Sequence, residues 1–536
     1  MSPDDLRTSN DVKPTPEQPV FRQPENAGAH GHHLRNLTSE TLDAASVNGD
    51  PGKFGRMFGH LPPLVVPDAP LLKLAEAMVE DTPKNPSLDN PQLPAGFTYF
   101  GQFVDHDITL DTTPLAQQKA DPMATENFRT PALDLDSVYG QGRAIDPHLY
   151  ARRTNSPYGP SNKFLVGTAS PSPGQGIDDL LPNDLPRNSV GRALIGDERN
   201  DENLVVSQTH LAFLKFHNAV IDHLDATRPD LTGDDQFQEA RRIVTWHYQW
   251  IVLFDWVERL TEDGIVRRVI HHGRQFYRFP RKPYMPAEFS VAAFRLGHSM
   301  IREQYDYNRV FREGGLTPAT LALLFGFTGK SGAIVGDLVD DPNVGDTPGI
   351  PGGKLRDLPG NWVIDWRRFY ELADDPKPNL SRALDTLMAP TLSKLPGLGM
   401  PDSILAFRNL RRGSQVGLPS GQAVAGAMGV PALTPDQIGS TAAGDVAVAQ
   451  GLHKQSPLWF YILAEAEVLH GGKRLGPVGS TIIAETFVGL IHGDHSSFLW
   501  QRKNWQPELP SAVPGTFTMA DMLRFTDDIN PIGEGT

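Results

Sequence analysis

The chain has 536 residues, and its 64 Asp and Glu against 49 Lys and Arg give a formal charge of −15, which argues against a nucleic-acid groove or an anionic membrane surface as its main partner. A 39% hydrophobic share is enough for a large core, and no run reaches the roughly 18 apolar residues of a membrane span, because Asp255 cuts the Ile251 to Phe254 stretch. Cysteine is absent, so disulfide scaffolds, thiolate-ligated metals and a Cys nucleophile are excluded, and any metal chemistry must use His, Asp, Glu or Tyr.

Residues 1–60 are rich in Pro, Asn, Asp and Gly without sustained periodicity and read as an extended arm, with residues 61–536 forming the body. The first residues carry acids and no apolar core, so no classical signal peptide is visible and the expectation is a cytoplasmic protein or one exported by a leaderless route. His30, His32 and His33 cluster in this arm and read as solvent-exposed rather than metal-binding.

In GFTYFGQFVDHDITLD, residues 96–111, four aromatics, Phe97, Tyr99, Phe100 and Phe103, pack around Gln102 and ahead of Asp105, His106 and Asp107. A helix with a polar C-terminal end accounts for this; two carboxylates flanking one His after apolar residues also suit a buried acid/base or metal site. TPALDLDSVYG, residues 130–140, reads by itself as an acidic turn, and residues 154–188, full of Ser, Pro and Gly, as a long surface loop. IGDERNDEN puts Arg199 and Glu202 at a helix start, where an acid is also an ordinary capping feature.

An amphipathic helix is predicted over residues 204–224, where Leu204, Leu211, Leu214, Ile221 and Leu224 recur at alternating spacings of seven and three. Residues 237–260 are apolar nearly all round and predict a buried helix. Pro286 and Glu288 open another, with Phe289, Ala293, Leu296 and Met300 on its buried face. Arg295 and His298, three apart, are neighbours on it.

A second long loop covers residues 336–361. FRNLRRGSQVGLPSGQA then sets Asn409 and Arg412 three apart before a Gly-Leu-Pro turn. His492, Asp494 and His495 suggest a metal-hydrolase cluster, but no further ligand-spaced group stands nearby and a C-terminal helix or loop is the better account. Alternation at period two is scarce, so the expectation is one large, mainly α-helical domain with an N-terminal arm.

In this order and at these spacings, the motifs resemble the animal-type haem peroxidases of the peroxidase-cyclooxygenase superfamily, more closely their bacterial members, from about Gly96 to the C-terminal FTMADMLRFTDDINPIG. The resemblance implies a single large helical haem-peroxidase domain carrying haem b or an ester-linked derivative, and Ca²⁺. His106 matches the distal histidine, Gln102 the distal glutamine and Arg199 the distal arginine. His298 matches the proximal iron ligand, and Asn409 the asparagine that accepts a hydrogen bond from its other ring nitrogen. Arg295 and Arg412 match guanidiniums that pair with haem propionates, and Asp105 and Glu202 the carboxylates that form ester bonds to haem methyls in mammalian members. Asp107, Thr130, the Ala132 carbonyl, Asp134 and Asp136 match the calcium ligands, all hard oxygens.

The implied activity is reduction of hydrogen peroxide and oxidation of small donors (bromide, iodide, thiocyanate or phenols) through a ferryl intermediate. Fatty-acid dioxygenases of the superfamily carry a radical Tyr three residues before the proximal His; Arg295 stands there and disfavours that activity. Asn203 follows Glu202 where a mammalian relative has the Met of a sulfonium link, which makes chloride oxidation the less expected reaction. A peroxidase-like adhesion or interaction protein with little turnover is the alternative outside enzymes.

Overall fold

The computed structural model describes residues 54–82, 85–109, 131–153, 159–189, 191–280, 282–329, 357–395 and 398–535. Most of the expected arm, including His30, His32 and His33, lies outside them. The described part of that arm is docked on the body: Phe54–Gly55 pairs in parallel with Met285–Pro286, and the Met57 and Phe58 amides each donate to the buried Glu288 carboxylate at 3.0 Å.

The architecture is mainly helical, as the sequence implies. The principal helices are α1 (Asp68–Ala77), α2 (Gly96–Ile108), α3 (Leu204–Thr227), α4 (Gly233–Trp250), α5 (Ile265–His272), α6 (Leu405–Gln415), α7 (Leu458–His470), α8 (Pro477–Gly493) and α9 (Met519–Phe525). Among the described residues, no helix is long and apolar enough to cross a membrane. Among the described residues the strands form two-stranded pairs.

Aromatic packing sets the central helices. Phe100, Phe103 and Phe213 are fully buried, and Phe103 stacks on Phe213 at 4.7 Å, which joins α2 to α3. Gly101 permits the close approach of Trp256 to α2, since a Cβ there would sit 2.6 Å from the indole. Asn203 caps α3, its side-chain oxygen accepting from the Val206 amide at 3.0 Å.

Two expected helices have a different form. The predicted 237–260 run begins as α4 and passes into π-helical turns over Ile251–Val257. The segment after Pro286 is not a regular α-helix: Glu288–Ala292 is π-helical and Ala293–His298 is 3₁₀. Phe289, Ala293, Leu296 and Met300 are nonetheless buried as expected. A 3₁₀ turn repeats every three residues, so Arg295 and His298 lie one above the other.

The 154–188 loop expectation is also corrected. Tyr150–Arg152 pairs antiparallel with Pro160–Phe164, and Gly167–Ala169 with Leu181–Asp184. These strands are too short and irregular to show alternation. Of the second expected loop, residues 336–356 lie outside the described residues.

Candidate active site

A cavity of about 530 Å³ draws its lining from segments far apart in sequence: Gln102, Asp105 and His106 of α2; Arg199 and Glu202 before α3; Arg295 and His298 of the 3₁₀ segment; Arg408 and Arg412 of α6. Its remaining lining is largely apolar, including Phe54, Phe97, Trp256, Phe294, Leu321 and Leu405. Of the residues that the peroxidase resemblance assigns to the haem site, all but Asn409 line this one space.

His106 is buried and held from two directions. Its Nδ1 lies 2.8 Å from Asn200 Oδ1, and its Nε2 lies 3.4 Å from Glu202 Oε1. Gln102 Nε2 donates to the same Glu202 oxygen, and Asn203 Nδ2 donates to Gln102 Oε1 at 2.8 Å. Asn203 therefore serves both the start of α3 and the site. Arg199 is fixed by its own neighbours: Nε and Nη2 bind the Asp197 carboxylate, and Nη2 also donates to the carbonyls of His106 at 3.0 Å and Thr109 at 2.6 Å. Asp105 accepts from Thr109 Oγ1 at 3.0 Å.

Around His298 the arrangement differs from expectation in one respect. Asn409 Nδ2 lies 2.8 Å from His298 Nδ1, while Asn409 Oδ1 accepts from Arg295 Nη1 at 2.9 Å. The asparagine was expected to present its oxygen to the imidazole. A guanidinium can only donate, so Arg295 takes the oxygen and leaves the amide nitrogen for the ring. Burial, then Arg295 and Arg408, push the His298 pKa down to about 3, so the imidazole is neutral at physiological pH.

On the other side of His106 in sequence, Asp107 turns away into the core. Asp107, Asp134 and Asp136 are all buried, and their carboxylates converge with one oxygen from each within 4.8 Å of the others. The Leu135 and Ser137 amides and the Tyr248 hydroxyl donate to Asp107. Burial, then the Asp136 and Asp107 charges, raise the Asp134 pKa well above the usual carboxylate range. Leu135 adopts φ 57°, a left-handed conformation that a branched residue rarely takes, at the middle of this turn. Ala132 is buried beside the cluster in sequence; Thr130 lies outside the described residues.

The model of the animal haem peroxidase family matches residues 112–323. This chain is similar to animal haem peroxidases. Thyroid peroxidase of Canis lupus familiaris is 26% identical over 408 residues, covering 71% of this chain and 38% of that one. Peroxidase A from Dictyostelium discoideum superposes with a TM-score of 0.56 at 16% identity, covering 90% of this chain and 95% of that one. A fatty acid α-dioxygenase of Arabidopsis thaliana gives 0.53 at 15% identity, covering 88% and 75%. At such identities the solved structures speak for the fold, which they share as a mainly helical one. The chain spans less than half the length of the first curated relatives it matches.

Several residues of the site escaped the sequence reading. Asn200, His210, Asp197 and Tyr248 are buried hydrogen-bonding partners with no spacing signal of their own, and Arg408 lies one helical turn before Arg412. Asn200 and Asp197 sat within a motif already in view, and their residue types were the available clue. His492, Asp494 and His495 do not converge: His495 stacks on Trp500 at 4.3 Å, while Asp494 is buried and adds to the negative field at Asp134.

Proposed function

We propose that this chain is a haem peroxidase, reducing hydrogen peroxide and oxidising small donors such as bromide, iodide, thiocyanate or phenols. The observation that carries this reading is the shared cavity, which gathers two histidines, a glutamine, a glutamate and arginines against an apolar lining. The donor set fits the group. His298 is neutral, and its Nε2 would offer a lone pair to iron once the ring proton moves to Nδ1 and Asn409 turns its amide oxygen toward it; the apolar lining suits a porphyrin face, and the guanidiniums of Arg295 and Arg412 suit its carboxylates. Asn409 would orient His298, and Asp105 and Glu202 are the candidates for ester bonds, so haem b and an ester-linked derivative both remain within the proposal.

When bound, haem supplies the redox-active iron that exchanges electrons with peroxide and a donor. His106 is the proton carrier, taking the peroxide proton at Nε2 and returning it so that the leaving oxygen departs as water. Arg199 contributes positive charge beside this transfer, with its guanidinium pre-oriented by Asp197 and two backbone carbonyls. Gln102 holds the Glu202 carboxylate next to His106 Nε2.

The same proposal places Ca²⁺ at Asp107, Asp134 and Asp136, with the Ala132 carbonyl and Thr130 completing the set. Buried carboxylates this close repel one another, and a divalent cation with oxygen preference relieves that repulsion. Because Asp107 follows His106 directly, the ion would steady the proton carrier.

The full chain reconstituted with haemin should develop a Soret band and oxidise a phenolic dye only when peroxide is added. A chain that takes up no haem, or takes it up without peroxide-dependent oxidation, would exclude the peroxidase. Oxygen uptake with a fatty acid as substrate would instead support a dioxygenase, which Arg295 disfavours.

A further inference from the structure

We infer that Asn200 is a positioning residue that fixes the tautomer of His106, leaving the Nε2 lone pair ready for a proton; this rests on the peroxidase reading above. Asn200 is fully buried in the Glu198–Asp201 turn, between two imidazoles from different helices. Its Oδ1 lies 2.8 Å from Nδ1 of His106 on α2, and its Nδ2 lies 2.9 Å from Nδ1 of His210 on α3. His210 is fully buried, its ring edge-on to Phe103 with centroids 6.1 Å apart.

An amide oxygen only accepts and an amide nitrogen only donates. His106 must therefore carry its proton on Nδ1, and His210 must present a bare Nδ1. The neutral ring of His106 then has its lone pair on Nε2, the atom on the Glu202 side. Glu202 opposes this arrangement, because a carboxylate near Nε2 attracts the proton to that nitrogen. The distances decide the contest: the Asn200 bond is at full strength at 2.8 Å, whereas Glu202 Oε1 stands at 3.4 Å and already receives Gln102. Without Asn200, Glu202 would win, and the proton on Nε2 would block acceptance of another.

The geometry also explains why an asparagine suits this position. A serine hydroxyl is too short to span two rings, and an aspartate offers no donor to His210. The amide joins α2, the turn and α3 in one buried path, so the tautomer is set by packed elements rather than by a mobile side chain.

The test uses the haem-loaded full chain and two ligands read in the Soret region by stopped flow. Hydrogen cyanide binds as the anion and hands its proton to His106 Nε2, whereas nitric oxide binds with no proton to transfer. Asn200→Ala should slow cyanide association by about tenfold to 100-fold and leave nitric oxide association unchanged. Asn200→Asp, which keeps an acceptor for the Nδ1 proton, should return the cyanide rate to within about threefold of the parent. His210→Phe, which frees the amide to rotate while Asn200 stays, should slow cyanide by an intermediate factor and serves if Asn200→Ala does not fold. Cyanide rates equal to the parent in the folded variants, or nitric oxide slowed in parallel with cyanide, would overturn the inference while leaving the peroxidase intact. A parent chain that binds neither ligand because it holds no haem would overturn the peroxidase reading and this inference with it.

Discussion

The two histidines of the cavity are held in contrasting ways. His106 sits on a regular helix, α2, with Nδ1 hydrogen-bonded to Asn200, the Glu202 carboxylate 3.4 Å from Nε2, a neighbour in the carboxylate cluster and its own carbonyl gripped by Arg199. His298 ends a segment that changes from π over Glu288–Ala292 to 3₁₀ over Ala293–His298 and meets one side-chain partner at Nδ1. The first arrangement suits a group that must hold a proton at a defined atom; in the second, the Asn409 amide donates to Nδ1, so the proposed iron ligand would have to shift its ring proton from Nε2 to Nδ1, with Asn409 turning its oxygen to the ring, before it binds.

The largest expected effect breaks the His298 half. His298→Ala should lose stable haem altogether, seen as an absent Soret band after gel filtration, because no cysteine can substitute and His106 is committed to Asn200. Retention of parental haem and turnover would remove His298 from the proximal role. Next comes the carboxylate cluster, where removing calcium should lower the melting temperature and shift the haem spectrum through His106. At calcium 100-fold above its Kd the stabilisation is about 2.7 kcal/mol. Asp134→Asn should abolish the calcium dependence of the melting temperature; unchanged dependence in that variant would count against the site.

The sequence made much of this visible because motif residues sit on strong elements. The aromatic run before His106 and the apolar period of residues 204–224 announced α2 and α3, so the positions of Gln102, His106 and Arg199 followed. The break at residues 288–298 was not legible, since burial of Phe289, Ala293, Leu296 and Met300 satisfies an α-helical pattern as well as a mixed π and 3₁₀ one. Asn200 and His210 were silent for another reason: a bond between two elements leaves no periodic trace in either. Asn409 was legible as a partner of His298, but not in its orientation, which Arg295 decides.

A pH series sharpens the contrast without mutation. Burial pushes the pKa values of His298 and His247 down to about 3 and of His217 down to about 4. In the unfolded chain these rings protonate near 6.5, so the unfolded state binds more protons as pH falls. Their stabilising contribution is complete above pH 6.5 and is lost progressively as pH falls toward 4 for His217 and toward 3 for His247 and His298. Asp134 has the opposite sign, because its raised pKa makes the calcium-free cluster less stable as pH rises through that value. The calcium-induced gain in melting temperature should therefore grow with pH, and a gain that shrinks would contradict the cluster's electrostatics.

The smallest expected effect concerns covalent attachment. Asp105 lines the cavity, and Glu202 is engaged by Gln102. After brief peroxide treatment, acid-acetone should fail to extract the haem, and proteolysis should yield haem-linked peptides containing Asp105 and Glu202. Asp105→Ala should leave only the second. Quantitative extraction from the treated parent would return both carboxylates to the role of polar pocket residues without touching the peroxidase reading.

If the cavity shared by His106 and His298 holds haem, titrating the full chain with haemin reports it without any substrate. Saturation is expected at one haem per chain with a Soret band, and a pyridine haemochrome spectrum characteristic of protohaem before any peroxide is added. A colourless chain at saturating haemin, or uptake that His298→Ala leaves unchanged, would contradict it.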